Sequence, residues 1–308
     1  MHFNYKAYIK AAGSLLFASA LLLVAIKLKN NWREISSLKL IIPVGWAIVL
    51  GSSLYCIISF LLSSAWTKLI TLLDVNAVPV CWHSIYSRTQ IGKYLPGNVF
   101  HFAGRHVLGT RNGVSQTALT GAAILEAAGL IGGACTVSLI TLFISSPRNY
   151  GLSSTWCFLL LALVIAIPFV LKSCCKRSSL MRNLDVAGIP SIKLLKSLFP
   201  AFIRYFLFFS LSGVVLLGVL YLVTGWQGAG VSGAVIGIYA TSWIAGFVVP
   251  GSPAGIGIRE SLMLLSLTAF IGEANSLAVA LIFRFITITG DVLFFITSYC
   301  GYFYSKRL

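Results

Sequence analysis

The 308-residue chain is too apolar for a soluble globular protein, because 58% of its residues are hydrophobic, 10% are charged and its mean hydropathy is +0.92. Its 23 lysines and arginines outnumber 7 acidic residues, an excess that in a soluble protein would suggest a nucleic-acid partner. Here the basic residues lie mostly between apolar runs, so we expect no nucleic-acid partner and relate the charge to membrane topology.

The apolar runs are continuous and lack the period-two alternation of barrel strands, so they predict membrane-spanning helices. A crossing needs about 20 apolar residues to span a hydrocarbon core of about 30 Å. We predict one all-α, polytopic transmembrane domain over residues 1–308, with halves 1–150 and 190–308. Its eight predicted membrane segments are 8–28, 41–66, 114–144, 151–171, 202–223, 231–250, 258–272 and 276–303.

The distribution of basic residues predicts that both termini are cytoplasmic. In this orientation sixteen lysines and arginines lie inside and five outside. The cluster after the first span, Lys27 to Lys39, is the exception. The first apolar run follows Lys6 and Lys10 and resembles a signal peptide, but its Ala18-Ser19-Ala20 lies within the run and basic residues follow at once. We therefore expect a retained first span.

Neither the cysteines nor the histidines indicate a metal site. The seven cysteines show no metal-ligand or disulfide spacing, and we interpret them as small apolar residues. His101 and His106 are not spaced as zinc ligands, so we expect hydrogen-bonded histidines at the membrane interface. The chain also lacks a P-loop and a Gly-x-Ser-x-Gly motif. We therefore predict no metal, no cofactor and no catalytic residue.

Two segments interrupt the helical pattern in the same way. Each opens with Pro-Gly, at Pro96-Gly97 and at Pro250-Gly251, and reaches an arginine nine residues after the proline, Arg105 and Arg259. Proline removes a backbone donor and glycine allows left-handed dihedral angles, so both stop a helix and let another begin. Broken helices in matching halves mark the binding sites of many transporters. The alternative is two ordinary turns with arginines at the cytoplasmic interface.

The residues around these breaks predict hairpins. The stretch 80–107 is too polar for a free span and too apolar for a solvated loop, which suits a re-entrant hairpin or an interfacial amphipathic helix. The same interpretation applies to the pair 231–250 and 258–272. If two hairpins replace crossings, the number of spans falls to six.

Ionisable residues inside predicted spans are candidate functional groups, because each costs about 2.5 to 3.5 kcal/mol on insertion scales unless it has a partner or a water-filled cavity. Glu126 lies mid-span among small residues that let a neighbouring helix approach. We expect it either to act on a substrate or to pair with Arg284 or Arg204. Arg284 and Asp291 lie seven residues apart, on one face of the last span.

Arg105 and Arg259 are the strongest candidates for binding an anion. An arginine fork binds phosphate bidentately, and each arginine follows a break where a helix N-terminus adds positive charge. The full set of predicted substrate-binding residues is Lys93, Tyr94, Pro96, Gly97, Asn98, Gly104, Arg105, Glu126, Pro250, Gly251, Gly257, Arg259, Glu260, Arg284 and Asp291.

The chain resembles the lysylphosphatidylglycerol synthase transmembrane family, a flippase-like membrane region. The resemblance rests on Lys93 to Gly97, on Gly104-Arg105, on the small-residue helix with Glu126, and on the segment from Pro250-Gly251 to Gly257-Ile258-Arg259-Glu260. It implies a multi-pass protein of the bacterial inner membrane that translocates lipid. We expect no aminoacyl-transferase domain, and hence no synthase activity. The bulky residues 99–102 stand where many members carry small ones, which favours a polyprenyl-phosphate-linked sugar as cargo.

Together these features predict a translocase for an anionic phospholipid or a polyprenyl-phosphate-linked sugar in envelope or surface-polysaccharide biogenesis. Its partners would be a membrane lipid with an anionic head group and either a second copy of the chain or other envelope-biosynthesis proteins. A membrane-embedded glycosyl- or phosphotransferase is one alternative, with Glu126, Glu260 or Asp291 as the base. A non-transporting subunit of an envelope-assembly complex is the other.

Overall fold

The structure, a computed structural model, describes residues 5–38, 41–74, 82–95, 99–144, 191–225, 228–249 and 251–305. These residues are helical and contain no strand. Their ten α-helices are α1 (Tyr5–Asn30), α2 (Trp32–Ser37), α3 (Val44–Leu73), α4 (Trp82–Gln90), α5 (Phe100–Arg111), α6 (Gln116–Ile144), α7 (Ser191–Thr224), α8 (Ala229–Val248), α9 (Ile258–Ile271) and α10 (Glu273–Ser305). Two 3-10 turns, Ile91–Tyr94 and Pro253–Gly255, lie between helices.

Six helices in the described residues are long and apolar enough to cross a membrane: Val44–Leu73, Gln116–Thr141, Leu198–Thr224, Val231–Val248, Pro253–Ile271 and Glu273–Tyr299. They coincide with six of the eight predicted segments, which confirms an all-helical, multi-pass membrane protein. The predicted segment 8–28 forms α1, which is not among the six. The predicted segment 151–171 lies outside the described residues.

Helices α3, α7 and α10 pack against one another at the centre of the bundle. Helices α3 and α10 run in the same direction, since Gly51 lies against Ile286 and Gly290 lies against Tyr55. Tyr55 also meets Phe208 of α7 edge-on, with ring centroids 6.0 Å apart. Glycine at these contacts lets neighbouring helix backbones approach closely, which is the main source of helix association where lipid removes the hydrophobic effect.

Two pairs of helices fold back as hairpins. In the first hairpin, α4 and α5 are joined through the turn Ile91–Tyr94, and Gly104 packs on Thr89 across the pair. In the second hairpin, α8 and α9 are joined through Pro253–Gly255, and Gly246 packs on Gly255. We call these two 3-10 turns the first and second tips. The tips contact each other.

The positions of the two tips can be located along α10, whose 33 residues extend over about 50 Å. Arg284, eleven residues after the start of α10, donates a hydrogen bond to the carbonyl oxygen of Ala254 in the second tip. Asp291, fourteen residues before the end of α10, accepts a hydrogen bond from the hydroxyl of Tyr94 in the first tip. Both tips therefore lie near the middle of α10.

The two hairpins open toward opposite ends of α10. Helix α9 ends at Ile271, two residues before α10 begins at Glu273, so the second hairpin opens toward the Glu273 end. In the first hairpin, Arg88 lies over the ring of Tyr299, 5.1 Å from its centroid, close to the far end of α10. Helix α4 therefore runs from that end to the middle, antiparallel to α10.

Close packing of α6 on α7 can be tested at two neighbouring glycines. A Cβ on Gly133 would lie 3.0 Å from the carbonyl carbon of Tyr205 and 3.1 Å from the backbone nitrogen of Phe206. A Cβ on Gly132 would meet only a Phe202 ring carbon at 3.5 Å, an ordinary contact. We expect Gly133→Ala to lower the thermal unfolding midpoint of the detergent-purified protein.

The matched control is Gly132→Ala, which should leave the midpoint unchanged or raise it, because alanine favours a helix over glycine by about 1 kcal/mol. Backbone atoms cannot move aside as a flexible side chain can, so Gly133→Ala should lower the midpoint and Gly132→Ala should not. Equal shifts in the two variants would contradict the close approach of α6 and α7.

Candidate functional site

Charged side chains from both hairpins, α6 and α10 meet around the two tips. Three carboxylates are almost completely buried there, each exposing at most 4% of its surface. The described residues pair them with basic groups in three ion pairs: Arg105 with Glu126, Lys93 with Asp291, and Arg284 with Glu260. Charges in a membrane interior require such partners. The ion pairs therefore explain how these acids can be buried.

The first ion pair lies beside the first tip. Arg105 donates from Nη1 to a carboxylate oxygen of Glu126 and from Nη2 to the side-chain oxygen of Gln90, at 3.2 Å. The hydroxyl of Tyr86 donates to the other Glu126 oxygen at 2.8 Å. The Arg105 guanidinium also lies over the Tyr86 ring, 4.0 Å from its centroid, in a cation–π contact. Each carboxylate oxygen of Glu126 therefore accepts a charge-assisted hydrogen bond.

The predicted partners of Glu126 are wrong. Arg204 donates instead to the carbonyl oxygen of Pro200, one turn earlier in its own helix, at 2.8 Å. Arg284 of α10 pairs instead with Glu260 of α9, beside the second tip. The physical reason is the first hairpin, which folds α5 back beside α6 and brings Arg105 to the depth of Glu126.

Asp291 links α10 to the first tip. The Nζ of Lys93 lies 2.7 Å from an oxygen of Asp291, and the hydroxyl of Tyr94 donates to the same oxygen at 2.5 Å. Asp291 is 1% exposed. Two consecutive residues of the tip thus hold one buried carboxylate, so displacing the first tip from α10 would leave that charge without a partner.

Arg284 links α10 to the second tip. Its Nε lies 3.2 Å from an oxygen of Glu260, and its Nη1 donates to the carbonyl oxygen of Ala254 at 3.4 Å. Ala254 has φ of +49°, the one non-glycine positive φ among the described residues. Such a conformation costs on the order of 1 kcal/mol or more and persists only where its surroundings hold it. The contact with Arg284 is part of that support.

Arg259 differs from the other three cations because it forms no ion pair within the described residues. Its guanidinium lies 5.4 Å from the ring centroid of Trp243, and its Nε has no hydrogen-bond partner there. Arg259 is the second residue of α9, whose N-terminus carries a partial positive charge. The positive charge at this point is therefore not neutralised by a carboxylate.

A cavity between the hairpins contains both arginines that follow the Pro-Gly breaks. Its space out to the mouth, open solvent included, is about 450 Å³. Its polar lining comprises Tyr55, Tyr86, Gln90, Lys93, His101, Arg105, Glu126 and Arg259. Its apolar lining comprises Leu62, Leu130, Phe208, Trp243 and Phe247. The lining therefore combines groups that can bind an anion with side chains that can contact an apolar chain.

A second, smaller cavity of about 260 Å³ lies between α8, α9 and α10. It shares Trp243 and Arg259 with the larger cavity and is also lined by Glu260 and Arg284. Both oxygens of Glu260 lack a hydrogen-bond donor within the described residues, although Arg284 lies close enough to balance its charge. The side chain of Arg259 therefore lines both cavities.

The prediction for His101 is wrong. The imidazole is 6% exposed and lines the larger cavity, and its Nδ1 has no partner among the described residues. The described residues include no group of three His, Cys, Asp or Glu side chains that could hold a metal ion.

The remaining predicted residues have other positions. Four lie outside the described residues: Pro96, Gly97, Asn98 and Pro250. Gly104 packs against Thr89, and Gly257 packs against α1 near Ala20. Gly251 and Gly257 both have positive φ, 91° and 80°, which glycine adopts without strain. Gly104, Gly251 and Gly257 therefore shape the hairpins rather than line the cavities.

The cavity residues that were not identified from the sequence include Tyr55, Tyr86, Gln90 and Trp243. Tyr86 and Gln90 lie four residues apart on α4 and face Arg105 together. Polar residues with i, i+4 spacing in a mixed apolar segment were the available signal. Tyr55 and Trp243 carry no such signal, because aromatic residues in apolar helices are common in any bundle.

The buried ion pair predicts strong coupling between Arg105 and Glu126. Glu126→Gln leaves a buried guanidinium without its counter-charge, a change that typically costs about 3 to 5 kcal/mol. Tyr86→Phe removes one hydrogen bond to Glu126 and should cost about 1 kcal/mol or slightly more. We expect the thermal unfolding midpoint to fall much further in Glu126→Gln than in Tyr86→Phe.

A double-mutant cycle provides the control. Arg105→Gln combined with Glu126→Gln removes both charges and should recover part of the stability lost in either single variant. Additive losses in the double variant would show that the two side chains do not interact as the structure indicates.

Comparison with known proteins identifies no relative. No family model matches the chain, and no curated protein matches it. The resemblance to the lysylphosphatidylglycerol synthase transmembrane family therefore remains an expectation based on the motifs around Pro96 and Pro250. The chemistry of the site has to be argued from the positions of its own residues.

Proposed function

We propose that this chain is a membrane carrier that moves an amphiphile with an anionic head between the two leaflets. The observation that carries the proposal is the cavity between the hairpin tips, whose lining combines three basic side chains with five apolar ones. Arg105 and Arg259 line it together, and Arg259 has no carboxylate partner in the described residues. In keeping with the family resemblance, we assign the carrier to the bacterial inner membrane, with a phospholipid or a polyprenyl-phosphate-linked sugar as cargo.

We further propose that both hairpins are re-entrant. Helices α4, α5 and α9 have nine, twelve and fourteen residues, or about 14, 18 and 21 Å. Each is shorter than a hydrocarbon core of about 30 Å. The stretch Pro253–Ile271 is long enough to cross only when the second tip is counted with α9. Helix α8 has twenty residues, yet it leads to the second tip, which contacts the middle of α10. The hairpins would then dip into the bilayer from opposite faces.

This topology changes the predicted positions of three basic residues. Lys93, Arg105 and Arg259 were counted among the cytoplasmic residues. In the proposed topology they lie within the bundle. The bias of basic residues toward the cytoplasmic side persists without them, so both termini remain cytoplasmic in the proposal. The Glu273 end of α10 then faces outside, and the second hairpin opens toward that side.

The lining of the cavity supports a way of holding the cargo. Arg105 and Arg259 would bind the anionic head, while apolar side chains of the same lining, including Phe208 and Phe247, accommodate the start of the chain. The rest of the chain would remain in the surrounding lipid.

The ion pairs at the tips support a mechanism of alternating exposure. Lys93 and Asp291 hold the first tip to α10, and Arg284 and Glu260 hold the second hairpin to α10. The hairpins open toward opposite ends, so release of one tip exposes the cavity to one face and release of the other exposes it to the opposite face. Rocking of one hairpin at a time would transfer the head group without forming an open pore.

The alternative of a transferase has less support. A transferase needs an acidic side chain free to accept a proton, and Glu126, Glu260 and Asp291 each have a basic side chain within 4 Å. No observation in the described residues favours a non-transporting subunit over a carrier.

The proposal predicts lipid movement in reconstituted liposomes. We would measure loss of fluorescence from labelled phosphatidylglycerol when a membrane-impermeant reductant is added outside, and would repeat the assay with a labelled polyprenyl-phosphate sugar. Wild-type protein should accelerate movement of at least one of these cargoes. Arg259→Gln should slow that movement at least about tenfold, because it removes the unneutralised charge at the cavity.

Arg111→Gln is the matched control, since Arg111 is an exposed arginine at the end of α5, outside the cavity. It should move lipid at the wild-type rate. Wild-type liposomes that move none of the cargoes would refute the carrier, and a chemically altered lipid would favour the transferase.

The re-entrant topology predicts the reactivity of introduced cysteines. In a variant whose native cysteines are replaced by alanine or serine, Asn112→Cys should react with a charged maleimide from the cytoplasmic side and Ser36→Cys from the outer side. Leu95→Cys and Val249→Cys, beside the two tips, should react much more slowly from either side. Rapid reaction at Val249→Cys from the cytoplasm would show that α8 crosses the membrane.

A further inference from the structure

We propose that the cavity selects amphiphiles whose head carries a single negative charge, such as a phosphodiester, over phosphomonoesters and zwitterions. The inference deepens the proposed function and depends on it for the identity of the cavity as the cargo site. It rests on a balance of charges: around the tips, the described residues include four basic side chains and three carboxylates. The site with no ligand bound therefore has one positive charge in excess.

Three of the four basic side chains are balanced by carboxylates in ion pairs. Arg259 is therefore the one whose charge is available to a ligand. The Nζ of Lys93 is committed to Asp291 at 2.7 Å, and Arg105 is held by Glu126 from one side and by Gln90 from another. These groups can still donate hydrogen bonds to an anion, but their charges are balanced. His101 also lines the cavity, and its Nδ1 has no partner among the described residues.

Arg259 and the start of α9 form the positive end of the site. Gly257, which precedes α9, provides no side-chain cap, so the helix dipole adds to the positive charge of Arg259. The Nε of Arg259 is buried without a partner. A buried donor without an acceptor costs free energy. A bound anionic head group would provide that acceptor.

A monoanionic head leaves the loaded cavity neutral. A phosphomonoester carries about −1.5 to −2 charges at pH 7, so it would leave an excess negative charge in a low-dielectric interior, where an unpaired charge of either sign is unfavourable. A zwitterionic head such as phosphocholine adds no net charge and brings a cation beside Lys93, Arg105 and Arg259. The carboxylates that could receive this cation are already paired. Both classes should therefore bind less tightly than a phosphodiester monoanion.

Binding of short-chain lipids to the purified protein tests this inference. We would titrate dihexanoyl phosphatidylglycerol, dihexanoyl phosphatidate and dihexanoyl phosphatidylcholine into the full chain in a neutral detergent at pH 7.5, with calorimetry as the measurement. Phosphatidylglycerol should bind about tenfold more tightly than either of the others, a difference of about 1.4 kcal/mol. Equal or tighter binding of phosphatidate or phosphatidylcholine would overturn the inference.

Variants at one position separate charge from shape. Arg259→Lys keeps the charge and should keep the order of preference, even if all affinities fall because the guanidinium fork is lost. Arg259→Gln removes the excess charge and should bring phosphatidylglycerol and phosphatidylcholine within about threefold of each other. Arg111→Gln should bind as wild type does. Retention of the full monoanion preference in Arg259→Gln would overturn the role of Arg259.

The binding measurement and the liposome assay fail independently. Selective binding of the monoanion without lipid movement would contradict the carrier and leave the charge rule intact. Lipid movement without a preference for the monoanion in binding would contradict the charge rule and leave the carrier intact. If Arg259→Gln does not fold, the comparison of the three lipids on wild-type protein still decides the inference.

Discussion

The ion pairs between the hairpin tips and α10 are the interactions on which the rest of the structure depends. A charge in a membrane interior is tolerated only with a partner, and Asp291 and Arg284 are both buried near the middle of α10. Their partners, Lys93 and Glu260, come from the two hairpins. Each hairpin must therefore reach the middle of the bundle, because α10 would otherwise bury unpaired charge there.

The same constraint applies to the backbone, because a broken helix exposes carbonyl and amide groups that lipid cannot satisfy. At the second tip, Arg284 donates to the carbonyl oxygen of Ala254, and the hydroxyl of Ser252 donates to that of Ile256 at 2.8 Å. These side chains take the place of water. A break of this kind is stable only inside protein or beside a polar cavity, and the cavities lined by Arg259 fulfil the second condition.

Hydropathy was sufficient to predict the long helices, because each one buries or presents to lipid a continuous apolar surface whatever its neighbours are. The repeated Pro-Gly and arginine spacing also predicted that the two breaks belong together. The partner of Glu126 could not be predicted in this way. It depends on α5 folding back beside α6, a tertiary contact that leaves no periodic trace in the sequence. His101 was assigned to the interface for the same reason, since its burial follows from the neighbouring hairpin.

The matching positions of Arg105 and Arg259 in sequence do not make them equivalent in space. Arg105 lies in the second turn of α5, where Glu126 of the neighbouring helix neutralises it. Arg259 has an acid next to it in sequence, but consecutive residues on a helix point about 100° apart, and Glu260 is directed to Arg284 instead. Two similar motifs thus give one balanced arginine and one unbalanced arginine. Because of this difference, the shared cavity has an excess of positive charge, which an anionic ligand can neutralise.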